Sequence, residues 1–205
     1  EQDNISIYSN KITYFKNQEI IFTEGNSKAI NDEVEIDADN FQYNKILNIL
    51  KAKGNARIDN KKENYLIFSD EITYNRDTEI TVTKNNSKAI NDGILITAEN
   101  FSYSKIDNIL NANGKVILED NIEDYIIKAN EITYNKSLGK IFTIGKTNAN
   151  IHSKYNFFSE DVELDQNLKQ LKSVKNSKIL DENSNKYELS SFLYFFEKKF
   201  LKGKN

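Results

Sequence analysis

Ile72-Thr73-Tyr74-Asn75 belongs to a segment that recurs along this chain. The same four residues return sixty positions later as Ile132-Thr133-Tyr134-Asn135, and Ile12-Thr13-Tyr14 stands sixty positions earlier. Ser27-Lys28-Ala29-Ile30-Asn31-Asp32 also returns unchanged, at residues 87–92. Matches of this length at a single offset indicate a protein built from internal repeats.

Each block of sixty residues divides into two halves with the same core, an apolar residue followed two positions later by a second bulky residue. The spacings between successive cores are 29, 31, 29, 31, 30 and 30, so we infer a period of about 30 with seven copies. Positions i and i+2 of a strand face the same way, so each copy presents its two bulky groups on one face. The pairs are Ile12/Tyr14, Phe41/Tyr43, Ile72/Tyr74, Phe101/Tyr103, Ile132/Tyr134, Val162/Leu164 and Phe192/Tyr194.

The sequence around these cores predicts strands separated by polar turns. Val34, Ile36 and Ala38 alternate with polar residues, as in a half-buried strand. Phe41 and Tyr43 then change parity, and a bulge near Asp39-Asn40 would keep all five on one face. In the sixth copy, residues 165–178 allow either a strand or a short helical turn, and we favour the strand. The seventh copy lacks its outgoing strand, from which we expect the natural chain to be longer.

Composition excludes several classes of function. The net charge is -3 and charged residues make up 29% of the chain, so there is no basic footprint for nucleic acid. No run of about 18 apolar residues is present, so no helical membrane span is predicted. Cysteine is absent, and His152 is the only histidine, so we predict no metal site and no cofactor. We find no Ser-His-Asp order and no phosphate-binding glycine loop, and therefore predict that the protein is not an enzyme.

Stacked strand pairs of this kind can form a closed β-solenoid, a sandwich or an open folded sheet. A parallel β-helix usually has shorter rungs of about 20 to 25 residues, so the period favours antiparallel hairpins in a folded sheet or elongated jelly roll. The recurring aromatic and aliphatic residues would then line the interior. The pattern leaves open whether this interior is a filled core or an apolar groove.

The repeated motif resembles that of a known family. Residues 38–43, Ala-Asp-Asn-Phe-Gln-Tyr, are followed by Leu-Lys-Ala-Lys-Gly-Asn at residues 50–55. The order recurs at residues 98–103 and 110–115, with Gly114 in the place of Gly54. This order of strand core, turn and glycine is similar to the repeat of the OstA-like domains of the lipopolysaccharide transport system, over essentially the whole chain.

The resemblance implies an all-β, V-shaped and elongated β-jelly roll of about seven hairpin repeats, forming a single domain over residues 1–205. Members carry the acyl chains of lipopolysaccharide in an apolar interior and join other OstA-like proteins through edge strands. Two kinds of member fit, the N-terminal periplasmic domain of the assembly protein LptD and the soluble bridge protein LptA. The unfinished seventh copy favours LptD, which implies an outer-membrane β-barrel with its lipoprotein partner and a periplasmic location attached to the outer membrane. The absence of cysteine puts in doubt the disulfides that link this domain to the barrel in some relatives.

Two groups of residues are predicted to carry this function. The N-terminal edge at Ile5, Ile7 and Tyr8 is the expected docking strand for another transport protein, because an edge strand has unpaired backbone groups. Fourteen residues are expected to line the groove and contact acyl chains. They are Ile12, Tyr14, Phe22, Val34, Ile36, Phe41, Tyr43, Leu50, Ile72, Tyr74, Val82, Phe101, Tyr103 and Tyr134.

Two other functions remain compatible with the repeat. A structural or adhesin β-solenoid would have a fully packed interior. A carbohydrate-active β-helix enzyme would have a cluster of carboxylates on one exposed sheet face, which we do not find in the sequence.

Overall fold

The computed structural model describes residues 5–30 and 33–204, and these residues form only strands and turns. Over these ranges the structure has no helix with the length and apolar character needed to cross a membrane. The strands are β1 (Ser6–Tyr8), β2 (Lys11–Phe15), β3 (Ile20–Glu24), β4 (Ser27–Ile30), β5 (Val34–Ala38), β6 (Asn40–Asn44), β7 (Ile49–Asn60), β8 (Tyr65–Asn75), β9 (Ile80–Lys84), β10 (Ser87–Asn91), β11 (Ile94–Ala98), β12 (Asn100–Ser104), β13 (Ile109–Asp120), β14 (Tyr125–Asn135), β15 (Lys140–Ile151), β16 (Tyr155–Glu160), β17 (Glu163–Asp165), β18 (Gln170–Ser173), β19 (Ser177–Leu180), β20 (Lys186–Leu189), β21 (Ser191–Phe195) and β22 (Phe200–Lys204).

The pairing of these strands is antiparallel, which confirms the all-β prediction and fits a β-jelly roll instead of a parallel β-helix. The strands belong to two compact units. The first unit contains Glu1–Asp92 and Glu99–Ile106, and the second contains Gly93–Ala98 and Asp107–Asn205.

Four-residue turns punctuate the strands at the predicted period. One series, in the described part of the chain, occupies residues 16–19, 45–48, 76–79, 105–108, 136–139, 166–169 and 196–199. Two further four-residue turns lie at residues 61–64 and 121–124. The last residue of each turn has a left-handed backbone, with φ between 47° and 59°. The residue before a turn is often Asn or Asp, and its side chain caps the turn: Asn135 Oδ1 accepts a hydrogen bond of 3.0 Å from the Leu138 amide.

A bend divides each long strand of the first unit into two halves. The register of β7 against β8 shifts between Lys53 and Ala56, where Gly54 has φ +76°. A Cβ atom at Gly54 would lie only 2.1 Å from the Asp39 carboxylate, so this position needs glycine for both backbone and space. The neighbouring strand is interrupted at the same level, between β5 and β6. This confirms the predicted bulge near Asp39-Asn40.

Buried hydroxyl groups line this bend. Thr23 accepts a hydrogen bond of 2.8 Å from the Phe41 amide and lies 2.5 Å from the Ser27 hydroxyl. Thr83 and Ser87 make the same contacts sixty residues later, at 2.8 and 2.6 Å. The hydroxyls are needed because the bulge leaves a buried amide without a partner in the strand ladder. We call the bend lined by Thr23, Ser27, Thr83 and Ser87 the crease, and we use the same name for the equivalent bend of the second unit.

The second unit repeats the bend with its own residues. The register shifts between Asn113 and Val116 in β13 and between Ala129 and Glu131 in β14. Thr143 accepts a hydrogen bond of 2.8 Å from the Val162 amide at its crease. Residues 166–169 form a turn and β18 follows, so the strand predicted for the sixth copy is confirmed.

Candidate functional site

The first unit encloses a cavity of about 410 Å³ between the two halves of its bent strands. Two rows of inward-facing residues form its walls, because directly paired residues of neighbouring strands face the same side. The row on one side of the crease is Tyr14, Ile21, Tyr43, Leu50, Tyr74, Thr81 and Tyr103. The row on the other side is Ile7, Ala29, Ile36, Ile58, Ile67 and Ala89.

The walls of the cavity combine apolar side chains from both rows with polar and charged ones. Ile36 and Ile58 come from one row, and Tyr43, Leu50 and Tyr74 come from the other. The polar and charged lining residues are Glu33, Asn48, Asn60, Arg76, Glu79, Thr81 and Lys105. A pocket whose apolar walls carry some polar groups is a common form of a small-molecule site.

The charged groups at the margin are held in ion pairs. Lys105 Nζ lies 3.5 Å from Glu79 Oε1, with about a third of each side chain exposed. Glu33 pairs with Lys62 on a neighbouring turn. These ion pairs partly neutralise the charged side chains that line the cavity.

Tyr65, which lines the cavity, meets Tyr103 of the first inner row. The rings of Tyr65 and Tyr103 stand edge to face, with centroids 5.5 Å apart. Burial raises the pKa of Tyr65 to about 12, and burial likewise raises the pKa of Tyr103. Both phenols therefore stay neutral at physiological pH and can sit beside an apolar ligand.

Most of the fourteen predicted groove residues face the interior. Ile36, Phe41, Leu50, Ile72, Phe101 and Tyr103 are buried, whereas Val34, Tyr43, Tyr74 and Tyr134 are half-buried. Val34, Ile36, Tyr43, Leu50 and Tyr74 line the cavity itself. Contact of these residues with an acyl chain stays a prediction.

Ile12 and Tyr14 also face inward but are exposed, at 50% and 45%. They lie on β2, and in the described part of the chain β2 pairs only with β3, so no further strand covers them on the other side. The inner face therefore remains open at this edge of the first unit.

Phe22 and Val82 lie on the outer face, which corrects the interior position predicted for them. Phe22 pairs with Gln42, and Val82 pairs with Thr73 and Ser102, all in the outer row. The inward positions beside them belong to Thr23 and Thr83, which are 2% and 1% exposed. Their hydroxyls accept hydrogen bonds from buried amides of the crease. Because an unpaired buried amide is costly, the threonines face inward and the more apolar Phe22 and Val82 face outward. Phe22 instead packs on Phe15, with ring centroids 5.6 Å apart.

The predicted docking edge is an edge strand of the first unit. Within residues 5–30 and 33–204, β1 pairs only with β4, through Ser6, Ile7 and Tyr8. Ile5 and Tyr8 are 41% and 58% exposed, whereas Ile7 faces inward and lines the cavity. Docking of another protein at this strand stays a prediction.

The interior of the second unit contains a group of aromatic rings among buried aliphatic side chains. Phe157 and Tyr194 are fully buried, with ring centroids 5.4 Å apart, and Tyr155 lies 5.4 Å from Tyr194. Phe157 also contacts Phe192 at 5.0 Å. We call Tyr155, Phe157, Phe192, Tyr194 and Phe196 the aromatic cluster.

We call the two sides of a unit where its strands end in turns the rims. The two rims of the second unit contact each other beside the aromatic cluster. The Phe196 ring packs edge to face on Tyr125 at 5.7 Å and on His152 at 5.8 Å. The Gln166 amide donates a hydrogen bond of 3.4 Å to the Tyr125 hydroxyl, and Lys169 forms an ion pair with Glu123. These contacts join turns 166–169 and 196–199 to the opposite rim.

The residue types that commonly bind metal ions lie apart in the described part of the chain. His152 packs in the contact just described, and its Nδ1 lies 3.4 Å from the Tyr194 hydroxyl. The described ranges contain no group of three or more His, Cys, Asp or Glu residues placed to hold a metal ion.

Sequence reasoning missed several residues that line the cavity. Ala29, Ile58 and Tyr65 are on recognised strands, and their alternation with polar neighbours could have identified them. Arg76, Glu79 and Lys105 are in turns, where periodicity gives no sign that a side chain lies beside the interior.

Comparison with known proteins supports the fold. The chain matches no family model and no curated protein sequence. Among solved structures it is similar to LptH of Pseudomonas aeruginosa, described as the LptA homologous periplasmic component of the conserved lipopolysaccharide transport device. The TM-score is 0.52 with 15% sequence identity, over 55% of this chain and 84% of that chain. At this identity the likeness establishes a shared fold.

Proposed function

We propose that this chain is a lipopolysaccharide transport protein of the LptA type, which carries acyl chains in the cavity of its first unit. The observation that carries the proposal is the apolar cavity of about 410 Å³ between the two inner rows. The fold shared with LptH supports the same function. The repeat motif around Phe41 and Phe101 resembles that of the same transport system.

The energetics of such a site need no catalytic residue. Each methylene group moved from water into an apolar site contributes roughly 0.8 kcal/mol. The cavity volume falls within the range of about 300–1,000 Å³ that is usual for small-molecule sites. Polar groups at the margin, such as Lys105 and Arg76, would stay beside the polar part of an amphiphile while its alkyl part enters.

The finer parts of the proposal concern location and partners. We propose a periplasmic protein that binds other OstA-like proteins by strand addition at β1. We further propose that it acts at the outer-membrane end of the pathway, as the N-terminal domain of LptD does, with the barrel and its lipoprotein as partners. Co-purification of the chain with bridge proteins or with barrel and lipoprotein from cell envelopes distinguishes these roles.

Site-specific photo-crosslinking tests the central proposal. A photoreactive phenylalanine is introduced at Tyr43, which lines the cavity, or at the adjacent Gln42, which faces outward. We expect crosslinks to purified lipopolysaccharide from position 43, because an acyl chain in the cavity would touch that side chain. Position 42 is the matched control, and we expect it to stay uncrosslinked.

Equal crosslinking from both positions would show that lipid coats the surface without entering the cavity. The complete absence of crosslinks from position 43, in a chain whose circular dichroism is unchanged, would reject lipid carriage by the first unit.

A further inference from the structure

The interior of the second unit differs from that of the first at a few equivalent positions. The third residue of the strand is Ile36 in β5 of the first unit, but Phe157 in β16 of the second. The first residue of the same strand changes from an aliphatic residue to Tyr155. Larger side chains at these positions extend across the interior and meet Tyr194 from the other row.

The first residue of the turn also differs between the units. Arg76 begins turn 76–79 and lines the open cavity of the first unit, and its amide donates to the Asn48 carbonyl at 2.9 Å. Phe196 begins turn 196–199, and its amide makes the same bond to the Lys169 carbonyl at 2.9 Å. The side chain of Phe196 is 4% exposed, because it turns inward onto Tyr125 and His152.

We propose that the aromatic cluster keeps alkyl chains out of the second unit, and that Phe196 is the residue that decides access to this interior. The inference rests on the proposed function, because it concerns the same ligand class, the alkyl chain of an amphiphile. It divides the protein into a first unit that takes lipid and a second unit that is closed to it.

Packing is the physical reason for this exclusion. Phe157, Leu171, Ile179 and Tyr194 are all 0% exposed. A dense interior of this kind has no space for an additional chain unless the rings move. A chain that needed such movement would bind with its intrinsic affinity reduced by the fraction of molecules that are open.

Phe196 is the member of the aromatic cluster that lies in a turn and not in a strand. It belongs to a turn, so that its removal leaves the two inner rows of the second unit in place. The remaining contacts across the rims involve partly exposed groups, and the Lys169–Glu123 pair has about a third of each side chain exposed. Such exposed pairs contribute little to closure.

Reciprocal exchange of the two turn residues tests the proposal. Phe196→Arg gives the second unit the residue that begins the turn in the first unit, and Arg76→Phe makes the opposite change. A photoreactive phenylalanine at Tyr155 reports lipid in the second unit, and one at Tyr74 reports lipid in the first. In the wild-type chain we expect crosslinking to lipopolysaccharide from position 74 and not from position 155.

Phe196→Arg is expected to raise crosslinking from position 155 by about tenfold or more, because a larger fraction of the molecules then has an open second unit. Crosslinking from position 74 should not change in this variant. Arg76→Phe is expected to lower crosslinking from position 74. Should Phe196→Arg fail to fold, the combined exposed changes Gln166→Ala and Lys169→Ala loosen the same rim, with a smaller gain expected at position 155.

The outcomes separate this inference from the proposed function. Crosslinking from position 155 in the wild-type chain at the level of position 74 overturns the closure of the second unit. Crosslinking from position 74 with no gain at position 155 in any folded variant also overturns it, while lipid carriage by the first unit stands. The absence of crosslinking from position 74 in the wild-type chain instead rejects the proposed function.

Discussion

The first unit keeps open space between its inner rows, whereas aromatic and aliphatic side chains pack together in the interior around Phe157 and Tyr194 of the second. Leu50 borders the open cavity and is 9% exposed, while Leu171 holds the corresponding place in the second unit and is 0% exposed. Each leucine pairs with a tyrosine of the next strand, Tyr74 for Leu50 and Tyr194 for Leu171. One repeat pattern can therefore form either a domain with an open cavity or a domain with a packed core.

The two units nevertheless share the crease. Thr83 and Thr143 accept hydrogen bonds of the same length, 2.8 Å, from a backbone amide at the bend of their units. The crease depends on backbone groups that are present in every copy, whereas the interior depends on the volumes of side chains. The two units can therefore share the hydrogen bonds of the crease and still differ in the packing of their interiors.

The largest effect expected on stability is a contrast between two leucine truncations. Leu171→Ala should cost about 4 kcal/mol, because it leaves an empty space in a packed interior. Leu50→Ala should cost only about 2 kcal/mol, because it enlarges a cavity that already exists. Hydrogen exchange measured on peptides of each unit reports the two losses separately. Equal losses of protection would mean that the two interiors are packed alike.

A medium effect is expected when the hydroxyl is removed from the crease. Thr83→Val and Thr143→Val keep the shape of the side chain but leave a buried amide without an acceptor, so each should cost about 1–3 kcal/mol. The two costs should agree, because the crease is common to both units. Thr73→Val on the outer face is the control, and a cost as large there would show that the crease hydroxyls are not special. Urea unfolding measures all three.

The smallest effect expected is a loss of stability in alkali. Burial raises the pKa of Tyr65 in the first unit and of Tyr194 in the second to about 12. The pKa of an unfolded tyrosine is about 10, so the folded state holds these protons more tightly. This contribution is complete below about pH 10 and is lost as the pH rises toward 12.

Tyr65→Phe and Tyr194→Phe should each flatten the alkaline decline, since the group that must ionise is gone. Unfolding in urea between about pH 9 and 11, together with tyrosinate absorbance, provides the measurement. A decline of the same steepness in both variants and the wild-type chain would show that these two phenols do not contribute.

Local patterns in the sequence were sufficient to predict the all-β class and the positions of the turns. Alternation from Val34 to Ala38, the parity change before Phe41 and the polar turn residues predicted antiparallel hairpins with a bulge, and the structure confirms them. These features follow from a two-residue side-chain period and from the backbone preferences of Gly and Asn, so they can be read over a few residues.

Only the tertiary structure decided the facing of β3 and β9 and which interior is open. Phe22 and Val82 face outward because the neighbouring threonines satisfy backbone amides of another strand, which no local pattern reveals. The state of each interior depends on side chains that are distant in sequence, as when Phe196 meets Tyr125. Open space is the difference between the room that several strands enclose and the volume that their side chains fill, and it exists only once those strands are together.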